Sequence, residues 1–300
     1  MHYKTRTKSN ELVTLEILNK RMNLSRNDKQ YYLSLKKGYE GEMLFDSFTK
    51  NLQNKCLILN DLLLTVNHTT FQIDSLIIAH GKIYIYEVKN YSGDYYYEAD
   101  KLFKKPQIEI INPLHQLGRN EAILQRFLFD LGFSLPINAF VVFINPSFTM
   151  YQAPFDNRFI FPTQIRNYLN DFNIKPAQIT EEHVKLADEL ISLHQTDSLY
   201  KQIPTFNYKQ LQKGITCSKC HSFAISLEQT TYVCQKCSHS EKISNAVIRC
   251  IEEFRILFPH ERLTTSIIHD WCREVSQPRI RRILLKNFKK VGSHRWSYYV

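Results

Sequence analysis

Residues 71–93, FQIDSLIIAHGKIYIYEVKNYSG, bring two carboxylates and a lysine into one short stretch. Asp74 lies in one apolar run, Glu87 and Lys89 lie in the next, and His80-Gly81 marks the turn between them. Period-2 alternation puts Glu87 and Lys89 on one strand face, together with Ile83 and Ile85. Charges on such a face are costly unless they are paired or hold a metal. The hairpin sets Asp74 beside Glu87, and two close carboxylates repel each other unless a cation joins them. Mg²⁺ (or Mn²⁺) is the expected cation, because it binds through one or two carboxylates and completes its shell with water and phosphate. Asp74 and Glu87 are its expected ligands, with the carbonyl of Val88 as a third. Glu42, on the preceding helix, would reach it through water. Lys89 would orient a metal-bound water or stabilise the developing anion. An isolated Glu-x-Lys is common on exposed strands, so its meaning rests on the surroundings.

A second group is made of thiols. Cys217-Ser-Lys-Cys220 is followed after 13 residues by Cys234-Gln-Lys-Cys237. Each C-x-x-C makes a tight turn, and four thiolates fill a tetrahedral Zn²⁺ shell with no open position, so one structural Zn²⁺ is expected. The intervening HSFAISLEQTTYV reads as a hairpin, which makes a zinc ribbon. His221 and His239 flank the pairs as substitute ligands. Cys56, Cys250 and Cys272 read as small apolar core residues. His80 and His115 read as solvated histidines.

The elements that must carry these groups follow from periodicity. Residues 10–36 read as a charged helical lead-in. Residues 39–53 place Leu44, Phe45, Phe48 and Leu52 at helical spacing, with Gly38 marking a new unit. Strands are expected at 56–66, 71–80 and 82–90, then an amphipathic helix at 113–131 and a buried strand at 139–145. Helices follow at 162–171 and 180–195. The mixture predicts an α/β fold with a mixed central sheet. After about residue 200 come the cysteine unit, three helices and a short β segment.

Together, KGYEGE (37–42), TFQIDSLII (70–78), GKIYIYEVKNYSG (81–93) and NPLHQL (112–117) resemble the nuclease-related domain family, NERD. The pieces occur in that family's order over roughly 37–145. Asp-x12-Glu-x-Lys behind a helix carrying Gly-Glu resembles the PD-(D/E)xK nuclease core. The resemblance implies a restriction-endonuclease-like core with Glu42, Asp74, Glu87 and Lys89 as its catalytic site. It also implies Gln72 and Gln116 as supporting residues.

The 39 Lys/Arg and 29 Asp/Glu give a net charge of +10, unevenly placed. Residues 201–300 hold 17 basic and 7 acidic groups, residues 1–37 hold 9 and 3, and residues 38–200 hold 13 and 19. An acidic middle thus lies between basic ends, and basic patches attract phosphate backbones. Ser276 and Pro278 open a last helix that turns Ile280, Ile283 and Leu284 inward. Arg279, Arg281, Arg282 and Lys286 are left outside, followed by Lys289, Lys290 and Arg295. This pattern resembles a winged helix, whose third helix enters a major groove while wing residues touch phosphates.

The expected organisation is a basic lead-in (1–36), a NERD nuclease-like domain (37–200), a zinc ribbon (210–243) and a winged-helix-like module (244–300). The odd total of seven cysteines argues against a closed disulfide framework and for a reducing, cytoplasmic setting. No run reaches the ~18 apolar residues of a membrane helix, and no secretory signal is visible, so no membrane partner is expected. The function expected is metal-dependent phosphodiester hydrolysis in nucleic acid, with DNA favoured. Two rivals stand beside it: a non-catalytic nucleic-acid-binding protein of the same fold, and a protein-interaction adaptor.

Overall fold

The computed structural model describes residues 2–196, 201–293 and 297–300. The chain forms two compact units that alternate along the sequence. The first comprises the segment ending at Ser9 and Leu33–Lys201; the second comprises Asn10–Tyr32 and Gln202–Val300.

The first unit opens with β1 (His2–Lys4). After α1 (Asn10–Arg21), which belongs to the second unit, α2 (Arg26–Thr49) is one unbroken helix. The break expected at Gly38 does not occur, because a single glycine costs only about 1 kcal/mol in a helix interior and the flanking residues keep the helical period. Then come β2 (Leu57–Val66), β3 (Thr69–Ala79) and β4 (Lys82–Lys89), joined by two-residue turns. The turn residues Asn67-His68 and His80-Gly81 all have positive φ, as tight hairpin loops require.

β5 (Gly93–Glu98), β6 (Lys101–Lys104) and β7 (Ile108–Ile110) precede α3 (Pro113–Asp130). β8 (Ile137–Phe143), β9 (Phe148–Tyr151) and β10 (Phe159–Ile160) lead to α4 (Ile165–Ile174) and α5 (Glu181–Ser192).

The central sheet runs β1-β2-β3-β4-β8-β10. β2, β3 and β4 pair antiparallel, whereas β1–β2, β4–β8 and β8–β10 are parallel, so the sheet is mixed. One face buries Ile83 and Ile85 with Leu117, Leu124 and Leu128 of α3 and Leu186 and Leu190 of α5. The other buries Tyr84, Tyr86 and Val88 with Phe45 of α2 and Leu169 and Phe172 of α4. This alternation on β4 is the period-2 pattern that the sequence shows. A second sheet, β7-β6-β5-β9, was not foreseen.

The second unit contains β11 (Ile225–Glu228), β12 (Thr231–Cys234) and β13 (Ser240–Lys242), an antiparallel three-stranded sheet. α6 (Ile243–Leu257), α7 (Thr265–Cys272) and α8 (Gln277–Asn287) follow, then the antiparallel pair β14 (Lys290–Val291) and β15 (Tyr298–Tyr299). Ile17 and Leu18 of α1, Tyr232 of β12 and residues of all three helices fill one core around Trp271. The division expected from sequence, with 1–36 alone and the ribbon apart from the tail, is therefore not the one seen. A ribbon of some thirty residues and a trio of short helices each bury too little surface to stand alone.

Arg21 is sealed into this core, its side chain 0% exposed. Its Nε and Nη2 donate to Glu253 Oε2 at 3.0 and 2.6 Å, and Nη1 donates to the carbonyls of Gln212 and Gly214. The guanidinium lies 4.2 Å from the Trp271 ring centroid. Removing one member of such a pair leaves a buried charge uncompensated, at a cost of about 3–5 kcal/mol. α1 is thus fixed to the C-terminal helices by chemistry as well as by packing. No described helix is long and apolar enough to cross a membrane.

Candidate active site and cysteine cluster

β3 and β4 carry the central acidic pair. Their register places Ser75 opposite Tyr86, so Asp74 and Glu87 are the next residues along each strand. Both are buried. Asp74 Oδ2 accepts the backbone N–H of Val88 at 2.8 Å. Glu87 Oε1 accepts from Lys89 Nζ at 2.7 Å, and Lys89 donates again to Gln116 Oε1 at 3.1 Å. Gln116 is delivered by the first turn of α3. There Asn112 caps the helix by accepting the N–H of Leu114, and Pro113 follows it.

Glu42 approaches from α2. The residue before it has to be glycine, because a Cβ on Gly41 would sit 2.5 Å from Asn90 Cβ. Asn90 Nδ2 in turn donates to the carbonyl of Lys37, and Lys37 Nζ donates to Ser92. KGYEGE and the end of β4 are therefore held against each other. Gln72 turns to another partner: its side-chain amide donates to Asp61 Oδ1 at 2.9 Å, and its backbone carbonyl accepts from Asn120 Nδ2 at 3.0 Å.

Sequence reasoning missed Arg6, Asp46 and Asp61. Arg6 follows β1, and its side chain is 1% exposed. Nη1 donates to Glu42 Oε2 at 2.6 Å, Nε and Nη2 grip Asp46, and Nη2 also donates to the carbonyl of Asp74 at 2.6 Å. Glu42 and Asp46 stand four apart on α2, hence on one helix face. That spacing was a usable signal. Nothing local marked Arg6, whose partners lie 36 to 68 residues away in sequence.

Burial dominates the electrostatics. It pushes Glu87 up to about 7, with the Asp74 charge adding to it and Lys89 pulling against it. Glu42 rises to about 8 by burial and by Asp74, against the pull of Arg6. Asp74 is raised by burial, opposed by Lys89 and by the Val88 N–H. Burial works against the Lys89 charge, but Glu87 outweighs it and holds the ammonium above its usual range. Crowded, desolvated oxygens of this kind suit a hard divalent cation. Asp74 and Glu87 are the two buried carboxylates that adjoin each other here, and they are the residues that fit such an ion.

Residues 37–144 match the family model of NERD, the nuclease-related domain. This segment is similar to a nuclease-related domain. It takes in α2 from Lys37, strands β2 to β7, α3 and β8, and it carries Glu42, Gln72, Asp74, Glu87, Lys89 and Gln116. Arg6 lies outside it. No curated protein and no solved structure matches the chain.

Beyond the NERD segment, the four cysteines meet. Cys217 Sγ and Cys237 Sγ are 3.7 Å apart, Cys220 Sγ and Cys234 Sγ are 3.4 Å apart, and all four sulfurs lie within 4.8 Å of one another. Zn–S bonds of about 2.3 Å at tetrahedral angles give S–S edges of about 3.8 Å, so the cluster fits zinc. Each knuckle closes alike: His221 N–H returns to the Cys217 carbonyl and Ser238 N–H to that of Cys234, and both residues have positive φ. His221 and His239 are not part of the cluster. Among the described residues it is the only group of three or more His, Cys, Asp or Glu whose ligand atoms come so close.

Cys56, Cys250 and Cys272 are buried. His80 is not simply solvated: it lies between Asn54, Tyr84 and Phe172. His115 is exposed and meets Asp100. Of the tail cations, Arg281, Arg282, Lys286, Lys289 and Lys290 are exposed, and Arg279 is half-buried. Arg295 lies outside the described residues.

Proposed function

We propose that this protein is a metal-dependent nuclease that hydrolyses phosphodiester bonds in nucleic acid, DNA in preference, in a reducing cytoplasm. The observation that carries the reading is the meeting of Asp74, Glu87 and Lys89 on one buried sheet face inside a NERD segment. Asp74 and Glu87 would hold Mg²⁺ or Mn²⁺, with the Val88 carbonyl beside them and Glu42 acting through water. When bound, such an ion lowers the pKa of a coordinated water and stabilises charge on phosphate. Lys89 stays protonated, so it serves as a hydrogen-bond donor and point charge for the developing anion, and not as a base. Gln116 and Glu87 fix the direction of its ammonium. Gln72 would act at one remove, by orienting Asp61.

The test is cleavage of duplex and single-stranded DNA and RNA with Mg²⁺, with Mn²⁺ and with neither. Metal-dependent cleavage is expected, and Lys89→Ala should lower turnover by about 10²–10³-fold, the usual cost of one anion-stabilising donor. Binding without any cleavage under every metal condition would favour the non-catalytic reading.

The second unit would supply affinity for the backbone. Support comes from the order α6–α7–α8–β14–β15 with a bridge from Leu263 to Tyr299, which follows a winged-helix plan. A cleft of about 970 Å³ is lined by Thr265, Gln277, Arg281 and Lys290. The full chain carrying Arg281→Ala, Arg282→Ala and Lys290→Ala should bind DNA more weakly and lose about 0.9 of salt slope per phosphate contact removed. A salt titration beside the parent protein measures this. An unchanged slope would assign the tail to protein contacts.

A further inference from the structure

Arg6 sits where a second cation would be expected. Glu42, Asp46, Asp74 and Glu87 converge at one end of the central sheet, and each carries or adjoins an Arg6 or Lys89 contact. Metal sites that clamp both sides of a phosphoryl transfer place their two ions about 3.5–4 Å apart, bridged by carboxylates. Here the Glu42–Asp46 side of the cluster is already filled. Four N–H bonds of one guanidinium reach Glu42, both oxygens of Asp46 and the Asp74 carbonyl.

Arginine does not lose its proton in proteins, so this charge is permanent. The side chain is closed off from water and held on three sides, which leaves it no room to withdraw. A salt bridge kept only for stability would be better placed on the surface, because burying it costs desolvation. Its seat beside the acidic hairpin instead neutralises two carboxylates that would otherwise compete for metal.

We propose that Arg6 is a positioning residue that serves as a built-in cation, so that the site takes a single divalent ion, at Asp74 and Glu87. This rests on the nuclease reading above and deepens it. It also makes the segment before residue 10 a working part of the site, although that segment precedes the NERD match. Arg6 would hold Glu42 away from direct ligation, keep it available to a bound water, and fix the β3 backbone at Asp74.

The test is Mn²⁺ binding to the zinc-loaded full chain, followed by electron paramagnetic resonance in a background of K⁺. Mn²⁺ prefers oxygen and does not displace zinc from thiolates. One Mn²⁺ per chain is expected for the parent protein, two for Arg6→Gln, and one again for Arg6→Lys, which keeps the charge. Two ions in the parent, or one in Arg6→Gln, would overturn the proposal and leave the nuclease reading intact. No ion in the parent would overturn both. Should Arg6→Gln fail to fold, the parent stoichiometry still decides.

Discussion

On the proposed reading, Asp74→Asn should lower metal-dependent cleavage by at least about 10²-fold and, without added divalent cation, raise the melting temperature of the first unit at pH 8. Both effects come from one cause. Asp74 faces Glu87 across the β3–β4 hairpin, and burial together with this neighbour pushes Glu87 up to about 7. A carboxyl whose folded pKa is raised binds its proton more tightly folded than unfolded. Stability is then lost as pH climbs from the ordinary carboxylate value of 4.5 through the folded values of about 7 for Glu87 and about 8 for Glu42.

The parent protein without divalent cation should therefore melt at a lower temperature at pH 8.5 than at pH 5.5. Asp74→Asn removes the charge that acts on both Glu42 and Glu87, so its profile should be flatter. Mg²⁺ or Mn²⁺ should restore the melting temperature of the parent at pH 8.5 and leave the variant unmoved. The same substitution removes a ligand. Metal stabilisation is worth several kcal/mol in the transition state, so at 1.36 kcal/mol per decade turnover should fall by at least about 10²-fold. Calorimetry at two pH values and a cleavage assay decide it. Unchanged turnover would remove Asp74 from the site.

Zinc removal should unfold the second unit as a whole and spare the first. Binding at a four-thiolate site is worth about 10–16 kcal/mol, as much as the entire stability of an ordinary domain. The cluster is not a detachable ornament. Arg249 of α6 donates to the Thr216 carbonyl at 2.6 Å and to Glu241 at 2.8 Å, one residue before the first cysteine and four after the last. Tyr232, two residues before Cys234, lies in the core around Trp271. Trp271 itself is fully buried there. Cys234→Ser or strong chelation should redden the emission of Trp271 and open the amides of α6 and α8 to exchange, while β3 and β4 stay protected. Persistent protection of α6 without zinc would refute this.

The legible parts of the protein were those fixed by neighbours in sequence. β2, β3, β4, α3 and α8 lie within a few residues of their expected bounds, because alternation and helical spacing are local signals. The cysteine knuckles were legible for the same reason. Asp74, Glu87, Lys89 and Gln116 come together because one hairpin and one helix start are enough to set them. The partner of Gln72 was not legible, because β2 and β3 both shift their inward set at one level: Leu59 then Leu62, and Ile73 then Leu76, face the same core. Asp61 has positive φ at that level, and Gln72 turns to it. The small sheet was missed because its strands are short, polar and broken by turns. α1 was placed in a lead-in because the partners that cover Ile17 and Leu18 lie about 200 residues further on.

That last separation has a consequence for how the chain is made. Ile17 and Leu18 leave the ribosome early, yet the residues that cover them begin at Gln202. At roughly 5–20 residues per second, the intervening 33–201 take on the order of 10–30 seconds to synthesise. The first unit has every strand of its sheet before the second unit can close. Through that interval Ile17 and Leu18 lack their cover, and a helix of this length is marginal without tertiary packing. A chain stopped near residue 200 would remain in that state permanently.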